Sequence, residues 1–191
     1  MRKNIYVILK GRIGNQLFIY AFARKLQEQL GEETKLIIDD SEVLVMNWEN
    51  SLIHYSLPNV EYVHSRSYAK RKWCVKYNLL RVADKLCGFK ADFRKRENRE
   101  KRIKPLLEFF GVFLCENGYV KFSGKKRRNY LLSGYFQSEK YFEGIEDELK
   151  NIFSLRQSNL QYPALDTIEN ENTVCISVKV EHNVGSSLYA V

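Results

Sequence analysis

Asn4-Ile5-Tyr6-Val7-Ile8-Leu9-Lys10-Gly11-Arg12-Ile13-Gly14-Asn15-Gln16-Leu17-Phe18 is the stretch whose reading decides the fold. Its first six residues are a continuous apolar run rich in β-branched and aromatic side chains, which suits a strand buried on both faces of a parallel sheet. Two glycines then mark a turn, and residues 15–30 set Leu17, Phe18, Ala21, Phe22, Leu26 and Leu30 close to an i, i+3, i+4 pattern. Asn15 is available as N-cap of that helix and Gly31 stands just past its end. Strand, glycine turn and helix make the first half of a βαβ unit. Lys35-Leu36-Ile37-Ile38-Asp39 supplies the next buried strand and ends in the polar turn Asp39-Asp40-Ser41, so a parallel pair with a right-handed crossover is expected. The fold class is α/β, a Rossmann-like parallel sheet flanked by helices.

Further along, residues 68–93 read as helical, with Trp73, Val75, Tyr77, Leu79, Leu80, Val82, Ala83 and Leu86 between basic residues and Cys87-Gly88 as a stop. Residues 114–119 and 130–135 read as short strands around a charged turn, and residues 139–153 as one helix that Ser138 can cap. Residues 156–172 have the composition of a linker. Thr173-Val174-Cys175-Ile176-Ser177-Val178-Lys179-Val180 is a last β-branched strand, followed by a polar segment. No internal repeat is visible.

The chain has 191 residues, 45% of them apolar, enough for the core of one domain and too few for two full-sized enzyme domains. Three Pro, 10 Gly and 13% aromatics, without a biased tract, exclude a disordered, collagen-like or fibrous chain. A net charge of +8 and a pI near 9.2 favour anionic partners: nucleic acid, phosphorylated small molecules or an acidic membrane. The surplus is local, since residues 66–104 hold 15 Lys or Arg against 4 acids, whereas residues 138–191 hold 4 against 9. Cys74, Cys87, Cys115 and Cys175 form no Cys-x-x-Cys pair, so no metal site is expected. The apolar run at the start is broken by Lys10 and Arg12, below the ~7–15 residues of a secretory core and the ~20 of a membrane span. A cytoplasmic protein with reduced cysteines is the simplest expectation.

Two segments carry chemical information. In Gly11-Arg12-Ile13-Gly14-Asn15-Gln16, glycines let the chain turn sharply and let a ligand approach main-chain N–H groups, and a helix N-terminus offers partial positive charge to a phosphate. Arg12 adds a fixed fork of donors for a diphosphate or sugar oxygen. The pattern lacks the third glycine of the dinucleotide fingerprint and the Gly-Lys-Ser/Thr of the P-loop, so on spacing alone a structural turn is the simpler reading. In the second segment, Gly134-Tyr135-Phe136-Gln137-Ser138-Glu139-Lys140-Tyr141-Phe142, the aromatics read first as a well-packed strand end and helix start.

Together these segments resemble the bacterial α-1,2-fucosyltransferase family of inverting glycosyltransferases. Its members open with a strand and a Gly-Arg-Leu-Gly-Asn-Gln-Met-Phe-Gln-Tyr-Ala-Phe-type segment, to which residues 11–23 are very similar. A Gly-Tyr-Phe/Trp-Gln-Ser-Glu-Lys-Tyr-Phe segment of the family stands here as residues 134–142, and Asp39-Asp40-Ser41 and Tyr55-Ser56-Leu57 match weaker intervening patterns. The resemblance implies a two-domain GT-B-like enzyme that moves L-fucose from GDP-fucose to the 2-hydroxyl of a galactoside in a glycan, needing neither cofactor nor metal. Residues 1–155 would be the acceptor-side N-terminal α/β domain, 156–172 a linker, and 173–191 the first strand and loop of an incomplete donor-binding domain. Gly11, Arg12, Gly14 and Asn15 would line the cleft near the donor's diphosphate and fucose, with Arg12 and Asn15 as polar contacts. Departure of GDP builds negative charge on the β-phosphate, which cations and N–H groups placed there stabilise. A base must take the acceptor hydroxyl's proton, and the sequence does not identify it.

The match also has departures. Where the wider superfamily carries His-x-Arg-Arg-Gly-Asp, this chain reads Ser177-Val178-Lys179-Val180-Glu181-His182, and only Lys179 keeps a cation, without the bidentate fork. Glu181 and His182 are weak catalytic candidates, with a solvated loop histidine as the plain alternative for His182. Later family segments, including a Ser-Asn-Ser-Thr-Phe-Ser-Trp-Trp-type motif, have no counterpart, so the resemblance implies a chain that stops as its donor domain begins and is inactive or impaired alone. One rival reading is a nucleic-acid module on residues 66–104, with Tyr68, Trp73, Tyr77, Phe89 and Phe93 among the cations. Another, compatible with transfer, is peripheral attachment of that stretch to the acidic inner face of the membrane.

Overall fold

The structure is a computed structural model that describes residues 3–31, 33–88, 92–116, 118–123 and 129–154. These lie in the first of two compact units, Met1–Ser154 and Leu155–Val191. The linker and last strand expected at 156–172 and 173–191, and with them Lys179, Glu181 and His182, lie outside the described residues.

Strands β1 (Asn4–Ile8), β2 (Lys35–Asp39), β3 (Val60–Val63), β4 (Val112–Cys115) and β5 (Asn129–Gly134) form one sheet in the order β3-β2-β1-β5-β4, and every pairing is parallel. The apolar run at the N-terminus therefore becomes the central strand, and its two faces feed two cores. Ile5, Val7 and Leu9 join Phe22, Leu26, Phe113, Phe136 and Tyr141, whereas Tyr6 and Ile8 join Ala69, Leu80, Ala83 and Leu107. The first core lies under α1 (Ile13–Leu30) and α6 (Glu146–Phe153), the second under α3 (Arg66–Lys72), α4 (Cys74–Cys87) and α5 (Phe93–Phe109). A short helix α2 (Ser41–Val45) follows β2. This three-layer arrangement is the α/β class expected, and the β1–β2 pair aligns Asn4 with Lys35 through Ile8 with Asp39.

Several elements differ from their sequence-based expectation. The helical stretch 68–93 is two helices broken at Trp73, whose indole packs on Tyr6 and the second core, and α4 ends at Gly88 with φ +78°. A third helix, α5, was hidden by a composition almost devoid of an apolar stripe. It is held by i,i+4 pairs Arg96–Glu100, Glu97–Lys101 and Lys104–Glu108. The strand expected at 114–119 is Val112–Cys115, and β3 was not anticipated because only its last residue is buried. The helix expected at 139–153 is instead a 3-10 turn, Glu139–Tyr141, and the separate α6, divided near Gly144 with φ +86°. Ser138 makes no side-chain cap, and the Glu146 carboxylate accepts from the Gly144 N–H at 2.9 Å instead.

Tyr68, Trp73 and Tyr77 pack against the second core, so these aromatics of the basic stretch are not free to stack on nucleobases. Among the described residues no helix is long and apolar enough to cross a membrane.

Candidate active site at the strand carboxyl ends

The chain runs from β1 out to β2 and β3 on one side, then crosses to the far edge at β4 and comes back to β5 beside β1. In open parallel sheets ligands bind outside the carboxyl ends of the strands. Residues 10–15 emerge there from β1 and residues 134–137 from β5.

Gly11 turns the chain with φ +69°, and a Cβ at this position would lie 2.2 Å from Asn15 Nδ2. Only glycine meets both conditions. The helix then begins one turn earlier than expected: Arg12, extended at φ −92° and ψ −178°, is the N-cap of α1 and makes no side-chain cap. Asn15 is the third helical residue rather than the cap, and its Oδ1 accepts from Gln137 Nε2 at 2.6 Å. The first turn of α1 contains no acidic side chain, and a Cβ on Gly14 would meet nothing within 4 Å. An uncapped helix N-terminus faces open space beside the exposed Arg12 side chain, whose guanidinium lies 5.8 Å from the Trp48 ring centroid. That combination suits an anion.

Buried Gln16 fixes the turn. Its Nε2 donates to the carbonyls of Gly11 at 2.9 Å and Glu49 at 2.8 Å, and its Oε1 accepts from the Ser51 N–H at 2.8 Å. On the β5 side, Gly134 at φ +146° lets β5 pass where a Cβ would lie 2.0 Å from the Cys115 carbonyl oxygen. Phe136 holds a left-handed φ of +50° and is 1% exposed, clamped by Phe22 at 4.7 Å and Tyr141 at 5.6 Å between ring centroids. Core packing thus supports backbone strain that turns the next residue, Gln137, out toward Asn15. Phe136 and Tyr141 are core, as the plain reading of the segment has it, while Gln137 is not.

Residues that sequence reasoning passed over complete this edge. Lys10 forms an ion pair with Glu116 at the end of β4, and Ser133 Oγ donates to the same Glu116 oxygen at 3.5 Å. Burial works against the Lys10 charge, but Glu116 and Glu42 outweigh it and hold the ammonium above its ordinary range. At the ends of β2 and β3, Asp39 is engaged by the Tyr6 hydroxyl and the Ser41 N–H, whereas Asp40 accepts from Asn50 Nδ2 at 2.8 Å and faces His64 Nδ1 at 2.9 Å. Burial, aided by the Asp40 carboxylate, pushes the Tyr62 phenol up to about 12. The weak sequence signal at Asp39-Asp40-Ser41 pointed to this corner without separating the two carboxylates. Among the described residues no group of three or more His, Cys, Asp or Glu side chains could hold a metal ion.

A five-stranded parallel sheet with helices on both faces, and a glycine turn at the end of its central strand, is an α/β domain of the GT-B-like glycosyltransferase kind. The chain belongs to glycosyl transferase family 11, the α-1,2-fucosyltransferase family, whose family model matches residues 4–186. Such membership implies a nucleotide-sugar donor and a glycan acceptor. No curated protein and no solved structure matches the chain.

Proposed function

We propose that the protein transfers L-fucose from GDP-fucose to the 2-hydroxyl of a galactoside in a glycan, with inversion. The observation that carries this reading is the Gln137–Asn15 hydrogen bond, which brings the two family-like segments together beside the open N-terminus of α1. Arg12 and the first N–H groups of α1 take the donor's diphosphate, with Gly14 left bare so that the ligand can approach. Asn15, held by Gln137, contacts the donor sugar. Lys179 is assigned as a second cation at the β-phosphate. The negative charge that develops as GDP leaves is met by these groups of the chain itself rather than by a metal. Incubation with GDP-fucose and lactose tests the reading. The expected product, formed slowly because Lys179 lacks the bidentate fork, is lactose fucosylated on galactose and cleaved by an α-1,2-specific fucosidase; no product with any β-galactoside would overturn it.

A compatible second reading concerns the outer face of α4. Val75 is 71%, Val82 54% and Leu86 64% exposed, and Arg81 and Lys85 stand among them. Apolar residues at near-helical spacing flanked by cations suit peripheral attachment to an acidic membrane. Cosedimentation with phosphatidylglycerol vesicles but not phosphatidylcholine vesicles is the expected result.

A further inference from the structure

We propose that His64 is the general base of the transfer, positioned by Asp40, and that the groove beside it receives the acceptor sugar; this rests on the fucosyl-transfer reading above. Asp40 is 2% exposed at the carboxyl end of β2, and it is fixed from three directions. Its N–H donates to the Val63 carbonyl at 3.1 Å, one of its carboxylate oxygens accepts from Asn50 Nδ2 at 2.8 Å, and the other faces His64 Nδ1 at 2.9 Å. Asn50 is itself 5% exposed, and its Oδ1 accepts from the Leu52 N–H at 3.1 Å. An ionised carboxylate only accepts, so His64 Nδ1 carries the ring hydrogen and Nε2 of the neutral ring is left as an acceptor. A nucleophile-activating base oriented by a buried acid is a recurrent arrangement.

The His64 side chain is 64% exposed, so the ring edge that carries Nε2 is open to an incoming group. It borders a groove of about 340 Å³ lined by Val63, Ser65, Ser67, Tyr68 and Arg71 as well. Tyr68 is immobilised there by stacking on Tyr6 with ring centroids 6.0 Å apart, and Lys72 lies over its ring. Hydroxyl donors from Ser65 and Ser67 and the guanidinium of Arg71 along the groove wall suit a neutral, hydroxyl-rich hexose. The charged groups on this side are Asp40, which follows β2 and pairs with the His64 ring, and Arg71 and Lys72 from α3 in the lining of the groove.

The corner is joined to the donor turn. Gln16 holds the backbone of Glu49 and Ser51, Asn50 between them holds Asp40, and Asp40 holds His64. β3 is two strands from β1, about 10 Å at ordinary strand spacing, which leaves room for the transferred sugar between diphosphate and base. In the reaction the galactoside 2-hydroxyl oxygen attacks the donor's anomeric carbon and its proton passes to His64 Nε2. The bond from that carbon to the β-phosphate oxygen breaks, and its electron pair leaves with GDP. Asp40 stabilises the resulting imidazolium, which returns its proton to solvent.

The test compares wild type, His64→Ala, His64→Gln and Asp40→Asn with GDP-fucose and lactose, with thermal unfolding as a check on folding. Both His64 variants are expected to lose about a hundredfold or more in kcat, with KM for GDP-fucose within about twofold, and imidazole in the buffer should restore part of the His64→Ala activity. Ring 15N NMR of neutral His64 should show the Nδ1–H tautomer in wild type and its loss in Asp40→Asn. Transfer by either folded His64 variant at close to the wild-type rate would overturn the base while leaving the transferase reading intact. An Nε2–H tautomer in wild type would overturn it whatever the activity. Absence of transfer by wild type would overturn the transferase reading and the base together.

Discussion

Gln137 Nε2 donates to Asn15 Oδ1 at 2.6 Å, a bond between residues 122 positions apart, one on the turn after β5 and one in the first turn of α1. Both groups are near the surface, and an exposed neutral hydrogen bond contributes only about 0.5–1.5 kcal/mol to stability. Gln137→Ala should therefore lower Tm by no more than a few degrees. If the bond orients Asn15 toward the donor sugar, the same variant should lose several-fold in kcat/KM for GDP-fucose. Steady-state kinetics beside a thermal melt separate the two effects.

The two turn glycines should fail in different ways. Gly11→Ala forces a left-handed φ on a side chain that collides with Asn15, so it should destabilise the fold by about 1–2 kcal/mol or more. Gly14→Ala sits in a helix with open space before it, where alanine improves helix propensity by as much as ~1 kcal/mol. It should melt at or above the wild-type temperature and still bind GDP-fucose more weakly. Calorimetric titration of both variants, after their melts, checks the contrast.

The buried thiols give a pH prediction. Burial pushes Cys87 and Cys115 up to about 11, the second against its hydrogen bond with Tyr141. Above the ordinary thiol range, near pH 9, the unfolded chain releases protons that the folded chain keeps. Stability from these groups is fully present below about pH 9 and falls as pH rises toward 11. Denaturant midpoints from pH 8 upward should decline, and less so in Cys87→Ala after correction for its lost packing. Native labelling at neutral pH, mapped by peptide, should modify exposed Cys74 and spare Cys87 and Cys115.

Glu100 is 1% exposed and bonds Arg96 Nε at 3.0 Å and the Glu116 N–H at 3.2 Å, while Arg96 also reaches Asp84 at 2.6 Å. Glu100→Ala leaves Arg96 paired with Asp84 but strips Arg96 Nε and the Glu116 N–H of their buried acceptor, so it should cost about 1–3 kcal/mol. It should also loosen the Glu116–Lys10 pair at the site edge. Chemical denaturation measures the first effect. Recovery of most of the stability in an Arg96→Met, Glu100→Leu double variant would show that charge, not shape, is responsible.

The first strand was legible because Ile5 and Val7 face one core and Tyr6 and Ile8 the other, so residues 5–8 all had to be apolar. The turn after it was legible through glycines, whose chemistry is local. The residues missed depend on long-range placement. Nothing near Gln137 announces that its amide reaches Asn15, because that follows from the left-handed Phe136 clamped among distant aromatics. His64 reads as a loop histidine until β2 and β3 pair and bring Asp40 beside it. Helix α5 was obscured for another reason: its stability comes from i,i+4 ion pairs and three buried charges, Arg96, Glu100 and Glu108, rather than from an apolar stripe.

In the proposed mechanism the uncapped start of α1, with Arg12 beside it, holds the donor's diphosphate. This assignment is tested most directly by the kcat/KM for GDP-fucose of wild type and Arg12→Ala measured side by side at matched Tm. A lost charge-assisted contact of about 1.5–3 kcal/mol corresponds to a fall of about ten- to more than a hundredfold, and that is the expected result. Equal kcat/KM values for the two proteins would contradict the claim.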